Sequence, residues 1–145
     1  VKACALRSFN IYGKNQRFNP YGNVLPIFAE RLRNNQPLTI YGDGSQTRDF
    51  IDVRDVVAAN LLAFERQAEG TFNIGTGSAA TVNDLVNHII KIAVKKVAVT
   101  HAPPRAGEVR DSVADIKKAK KQLGFSPKIR LEQGVKDYFG WFNDA

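Results

Sequence analysis

Methionine is absent from the 145 residues, and there is a single cysteine, Cys4. One cysteine cannot close an internal disulfide, and the opening residues read as a strand rather than a signal peptide. A reducing, cytoplasmic setting is therefore expected. No apolar run approaches the roughly 20 residues of a membrane-spanning helix, so no membrane partner is expected. Two histidines, His88 and His101, and one cysteine give no cluster with metal-ligand spacing, and no metal site is expected. Without an initiator, and with the strand-like "VKACALRSFNIYG" at its start, the chain is expected to be a piece of a longer protein.

Basic residues outnumber acids, 21 to 14, for a net charge of +7. That excess keeps a polyanion in view as a partner. Much of it sits in Lys95–Lys96 and in "KKAKK", Lys117 to Lys121, a run with no interleaved aromatics for base stacking. The run reads as a solvated helix face. No nucleic-acid partner is expected, although a basic RNA-binding module remains the rival from another class.

Elements alternate along the chain as in one α/β unit. "VKACALRSFNI" reads as a buried strand, followed by a polar loop to Gly22. Asn23 caps a helix through "NVLPIFAERLRNN", and "PLTIYGDGSQTRDFIDV" gives two extended segments around a hairpin-like turn at Gly42–Asp43–Gly44. Asp52 as N-cap and Asp55 at N3 open the next helix, with Val53, Val57, Leu61 and Phe64 as its core stripe. "GTFNIG" is a short strand. Thr81 with Asp84 forms a capping box for the helix after it, and "VAVTHAPP" is extended. Gly124 stops the helix of the lysine run, and a final helix faces inward with Leu131, Val135, Tyr138 and Phe142.

Two glycine motifs invite a nucleotide. "GTGSAA", Gly75 to Ala80, has the dinucleotide spelling between a strand and a helix, but the acid expected about 20 residues later is missing. "VKKVAVTHAPP" fills that place, so the turn is expected to serve the Thr81 cap. "GDGSQT" lacks the lysine of a phosphate loop. Just beyond it, Arg48 is either a ligand for an anion or the ion-pair partner of Asp49, Asp52 or Asp55. Prolines 103 and 104 stiffen a loop that presents Arg105 and Glu108, for binding or for a surface salt bridge. Asn10 stands where a strand gives way to a loop.

Taken in order, "RSFNIYG", "NVLPIF", "IYGDGSQTRDFIDVRDV", "FNIGTG" and "RAGEVRDSVADIKKAKKQLGF" resemble the C-terminal half of the extended short-chain dehydrogenase/reductases. These are the NAD-dependent nucleotide-sugar epimerases and dehydratases. The nearest resemblance is to UDP-glucose and UDP-N-acetylglucosamine 4-epimerases, with a dehydratase or decarboxylase as the alternative. It implies the last strands and helices of a Rossmann-type parallel sheet plus a small substrate-binding α/β domain, over residues 1–145. It also implies NAD in the complete enzyme, held by a missing N-terminal half, with none bound by this chain alone, and a homodimer. The UDP-sugar contacts it implies are Asn10, Arg48 and Arg105 on the diphosphate, Asn23, Val24 and Tyr41 at the uracil, and Glu108 on the ribose. The family's catalytic Tyr-x-x-x-Lys pair is absent, because the residues four after Tyr12, Tyr21, Tyr41 and Tyr138 are Gln16, Leu25, Ser45 and Phe142. No catalytic residue is assigned.

Overall fold

The computed structural model describes residues 3–16, 18–19, 23–93 and 96–144. Val1 and Lys2 of the opening run, residues 17 and 20–22 of the polar loop, and Lys95 lie outside the described residues. The elements run β1 (Cys4–Ser8), β2 (Ile11–Tyr12), α1 (Val24–Arg33), β3 (Leu38–Tyr41), β4 (Thr47–Arg48), β5 (Ile51–Asp52) and α2 (Val53–Glu65). They continue with β6 (Gly70–Ile74), β7 (Ala80–Thr81), α3 (Val82–Ile92), β8 (Val99–Ala102), β9 (Asp111–Ser112), α4 (Lys117–Leu123) and α5 (Leu131–Asp144). The fold is α/β.

Two apolar clusters organise these elements. In one, β1 and β6 pair in parallel from Cys4–Gly70 to Ser8–Ile74, and Phe72 and Ile74 meet Ala59 of α2 and Leu123 of α4. Parallel neighbours need a crossover, which α2 supplies. The other cluster gathers α1, β3, α3 and α5 around Phe28, Leu38, Ile40, Leu85, Ile89 and Tyr138. The parallel β1–β6 pair under α2 and α4 agrees with the expected α/β, Rossmann-type class.

Local chemistry sets the helix ends. Thr81 Oγ1 accepts from the Asp84 N–H at 2.9 Å while Asp84 accepts from the Thr81 N–H at 2.9 Å, completing the capping box. Asn23 caps α1 and donates from Nδ2 to the Ile11 carbonyl at 2.7 Å, tying that helix to β2. Asp52 accepts from the Arg54 N–H at 2.9 Å. Gly124 ends α4 in the left-handed region at φ 67°. Lys117, Lys120 and Lys121 of that helix are exposed, as a solvated face requires. On α5, Val135 and Tyr138 are buried and Leu131 and Phe142 partly so.

Three expectations are corrected and one is extended. Strand β1 is mostly exposed rather than buried, with β6 as its only strand neighbour among the described residues. The turn at Gly42–Gly44 does not close a hairpin. Strand β3 pairs in parallel with β8, whereas β4 lies between β7 and β9, so the turn carries the chain from one sheet to another. Asp55 stands at N3 of α2 as expected, and its carboxylate also accepts from the Lys128 and Ile129 N–H groups at 3.0 Å each, pinning the approach to α5. Finally, the stripe of α2 faces outward at Val57, Leu61 and Phe64, and the short side chains of Ala59 and Ala63 face the core instead.

The parts are joined at two polar points, each built on a buried aspartate. Arg54 grips Asp52 with Nε and Nη2 at 2.9 Å each and reaches Asp137 of α5 at 2.8 Å. Next to them Tyr12 is 1% exposed, and its hydroxyl touches the α5 backbone where a Cβ on Gly134 would overlap it. The second point is Asp49, fully buried. One carboxylate oxygen accepts from the Thr76 N–H at 2.7 Å and the Thr76 hydroxyl at 2.6 Å. The other accepts from Gly77 at 2.9 Å and Ala114 at 3.1 Å. A Cβ on Gly75 would stand 2.6 Å from that second oxygen, so the glycine permits the turn to close on the acid. The "GTG" turn therefore cradles an anion, and the anion is internal.

Removing Asp49 strands three backbone N–H groups, at about 1–3 kcal/mol for each buried donor left unsatisfied. Asp49→Ala should cost about 3–5 kcal/mol by urea unfolding; a loss below about 1 kcal/mol would refute the clamp. Burial, and then the charge of Asp52, raise the Tyr12 hydroxyl far above the ordinary phenol value, and burial pushes Tyr138 up to about 12. The unfolded chain sheds these protons first, so stability is intact below pH 10 and falls as pH rises beyond it, by at most about 1.4 kcal/mol per pH unit for each tyrosine. Among the described residues the Tyr12 hydroxyl has no hydrogen-bond partner. Tyr12→Phe should thus leave the neutral-pH melting temperature unchanged or higher and flatten the alkaline loss in thermal melts from pH 8 to 12. An unchanged alkaline slope would contradict this.

Candidate functional site

The seven singled-out residues come from four separate stretches of chain, and all of them line one cleft of about 180 Å³. Asn10 stands between β1 and β2, and its own carbonyl accepts from the Ile51 N–H at 3.1 Å. Asn23 and Val24 open α1, Tyr41 ends β3, and Arg48 ends β4. Arg105 and Glu108 arrive on the loop between β8 and β9. Strand pairing brings this loop in, because β8 lies along β3 and β9 along β4.

Arg48 is held by three acceptors. Its Nη1 donates to the carbonyls of Thr47 at 2.7 Å and Arg110 at 3.1 Å, and its Nη2 to Glu108 at 2.9 Å. None of the three acids flanking it in sequence is its partner. Asp49 is turned to the 76–77 amides, Asp52 to Arg54, and Asp55 to residues 128 and 129. The Arg48 side chain is 16% exposed and that of Glu108 32%, so the pair sits at the cleft wall in partial contact with solvent. A guanidinium carries five N–H donors. Among the described residues, Nε and the second Nη2 hydrogen of Arg48 are left for a further acceptor.

The Arg105 guanidinium lies 3.9 Å from the centre of the Tyr41 ring, a cation–π contact on an exposed loop. Hydrogen bonding to Arg105 holds the Tyr41 hydroxyl below the usual phenol range. The seven residues thus bring together two guanidinium forks, one carboxylate and the Tyr41 ring. Arginine forks match the planar oxygens of phosphates and carboxylates better than a lysine point charge does.

Further lining residues were not singled out in the sequence. Gln46 bonds through Nε2 to the Tyr41 carbonyl at 2.9 Å and holds the turn against the end of β3. Thr39, two residues before Tyr41 and on the same face of the strand, also lines the cleft, as do Ile27, Phe28 and Phe50. The period of two in β3 carried a signal for Thr39; Gln46 had none, because its role depends on the turn's shape. A larger groove of about 580 Å³ lies across Phe50, between α3 and residues 127–131, and none of the seven lines it. Among the described residues no group of three or more histidines, cysteines or acids could hold a metal ion, and no helix is long and apolar enough to cross a membrane.

The family described as GDP-mannose 4,6 dehydratase matches residues 1–138. The chain is 40% identical to a putative UDP-glucose 4-epimerase of Methanocaldococcus jannaschii, over 99% of this chain and 47% of that protein. It is 31% identical to a UDP-N-acetyl-alpha-D-glucosaminuronate decarboxylase of Bacillus cytotoxicus, over 96% of this chain and 46% of the other. Its fold superposes on UDP-glucose 4-epimerase of Thermotoga maritima, solved with UDP-glucose, with a TM-score of 0.89 and 42% identity. That match covers 99% of this chain and 47% of the solved one. The chain therefore spans about half the length of the proteins it matches. With nearly its whole length matched, this chain belongs to the GDP-mannose 4,6 dehydratase family of nucleotide-sugar enzymes.

Proposed function

We propose that the chain is the UDP-sugar-gripping C-terminal portion of an NAD-dependent UDP-sugar 4-epimerase acting on UDP-glucose or UDP-N-acetylglucosamine. The observation that carries this reading is the convergence of Asn10, Asn23, Val24, Tyr41, Arg48, Arg105 and Glu108 on one cleft. Arg48 and Arg105 take the two phosphates with Asn10 beside them. Tyr41, Asn23 and Val24 enclose the uracil, and Glu108 accepts from a ribose hydroxyl while orienting Arg48. Identities of 40% and 42% to epimerases, against 31% to a decarboxylase, favour epimerisation as the reaction.

The residues present do not fit NAD. The one turn with dinucleotide spelling points the Thr76 and Gly77 amides at the Asp49 carboxylate, and that negative charge would repel a pyrophosphate. On this reading NAD and the proton-transferring Tyr-x-x-x-Lys pair belong to an N-terminal half outside the chain, and the complete enzyme is a homodimer. The present half grips and orients; it moves no proton or hydride. The chain alone should show no epimerase turnover in a coupled assay, and turnover above background would overturn the division of labour.

UDP should bind the chain directly. Each charge-assisted contact is worth roughly 1.5–3 kcal/mol, so Arg48→Ala or Arg105→Ala should weaken UDP on the order of 10- to 100-fold. Arg→Lys should recover only part, because a point charge cannot reproduce the fork. Calorimetric titration and a melting curve on the same variants test the reading. Unchanged UDP affinity with a lowered melting temperature would make both arginines structural.

A further inference from the structure

The two arginines of the cleft are held in different ways. Arg48 is fixed by Glu108 and by two backbone carbonyls. Arg105 arrives on an exposed loop, residues 103–110, and among the described residues no carboxylate pairs with it. Its neighbour is the Tyr41 ring, whose centre lies 3.9 Å from Cζ. The same contact holds the Tyr41 hydroxyl below the usual phenol range. Tyr41 itself is firmly placed. It ends β3 opposite Ala102 of β8, and its carbonyl accepts from Gln46 Nε2 at 2.9 Å.

We propose that Tyr41 is a positioning residue for the diphosphate, acting on the phosphates through Arg105 as well as on the base directly. This inference rests on the reading above that the cleft takes UDP. A guanidinium is planar, with its N–H donors around the edge, so a ring against its face leaves edge donors for an anion. Arg105 and Tyr41 line the cleft, and both also line an adjoining cavity of about 340 Å³ beside Asp43 and Arg110. Without the ring the fork is free to swing from the cleft into that neighbouring space. A diphosphate then has to order a rotamer-rich side chain that the ring otherwise holds in reach. A guanidinium over one face of the ring also excludes a base from that face, so the uracil meets the opposite face or the edge.

The test uses inorganic pyrophosphate, which carries the phosphates without a base, so stacking of uracil on Tyr41 cannot register. By calorimetric titration Tyr41→Leu should weaken pyrophosphate about two- to fivefold, the expected worth of an exposed cation–π contact. Tyr41→Phe and Tyr41→Trp keep an aromatic face and should stay within about twofold of the parent. In an Arg105→Ala background Tyr41→Leu should change nothing further, a coupling that a merely structural role would not give. In NMR spectra the Arg105 side-chain protons, shifted upfield by the ring, should stay shifted when pyrophosphate binds. This last reading needs no Tyr41 variant, so it decides the matter even where Tyr41→Leu fails to fold. Pyrophosphate affinity indifferent to Tyr41→Leu, or equal losses with and without Arg105, would overturn the inference. So would Arg105 signals that return to ordinary positions on binding, because the ring would then be a resting place that the ligand empties. A chain that binds UDP but not pyrophosphate would overturn it as well. UDP and pyrophosphate binding unchanged by Arg48→Ala and Arg105→Ala removes the assignment of the cleft itself. Binding that needs both arginines yet ignores Tyr41→Leu for pyrophosphate removes this inference alone.

Discussion

The carboxylate of Asp49 is the constraint on which the site depends. It is fully buried and satisfied by four donors from two distant segments, the 76–77 turn and Ala114. Asp49 follows Arg48, the last residue of β4, so the clamp fixes the strand end from which Arg48 projects. Through Ala114 it also fixes the run after β9, and β9 lies beside β4. The loop carrying Arg105 and Glu108 is thereby anchored at both ends, by β8 along β3 and by β9 along β4. A buried, unpaired charge is expensive unless hydrogen bonds replace its hydration, and the glycine turn supplies those bonds.

The same sequence feature that spells a nucleotide loop is therefore used for internal electrostatics. Glycines at 75 and 77 let the backbone close around an anion, as they would around a pyrophosphate, but the anion here is a side chain of the same chain. Under the proposed function, an external anion is bound instead by the side-chain forks of Arg48 and Arg105 in the cleft. Arg48 and Arg105 are pre-oriented there by Glu108 and by the Tyr41 ring. Side chains already held in place lose less entropy on binding, which is how preorganisation contributes to affinity.

What was legible in the sequence was what depends on neighbours. Thr81 with Asp84, Asn23 at α1, Gly124 after α4 and the inward face of α5 follow from spacings of a few residues, and each stands where its spacing implied. The seven cleft residues were legible as a set only because five short motifs occur in one order. Features set by distant partners were not legible. Strand β3 takes β8 rather than β4, 61 positions away in the Thr39–Thr100 hydroxyl contact. Arg48 passes over three nearby acids for Glu108, because each nearby acid is claimed by other donors. The α2 stripe has the spacing of a core face, yet apolar spacing alone does not say what covers it, and Val57, Leu61 and Phe64 are exposed.

A crystal structure of this chain with UDP tests the central claim most directly, because it places the ligand rather than inferring it from affinity. The diphosphate is expected between Arg48 and Arg105, with the uracil against Tyr41 and Val24 and the ribose at Glu108. UDP bound instead in the larger groove across Phe50, beside Lys128 and Arg130, or seated with neither arginine within hydrogen-bond distance of a phosphate oxygen, would contradict it.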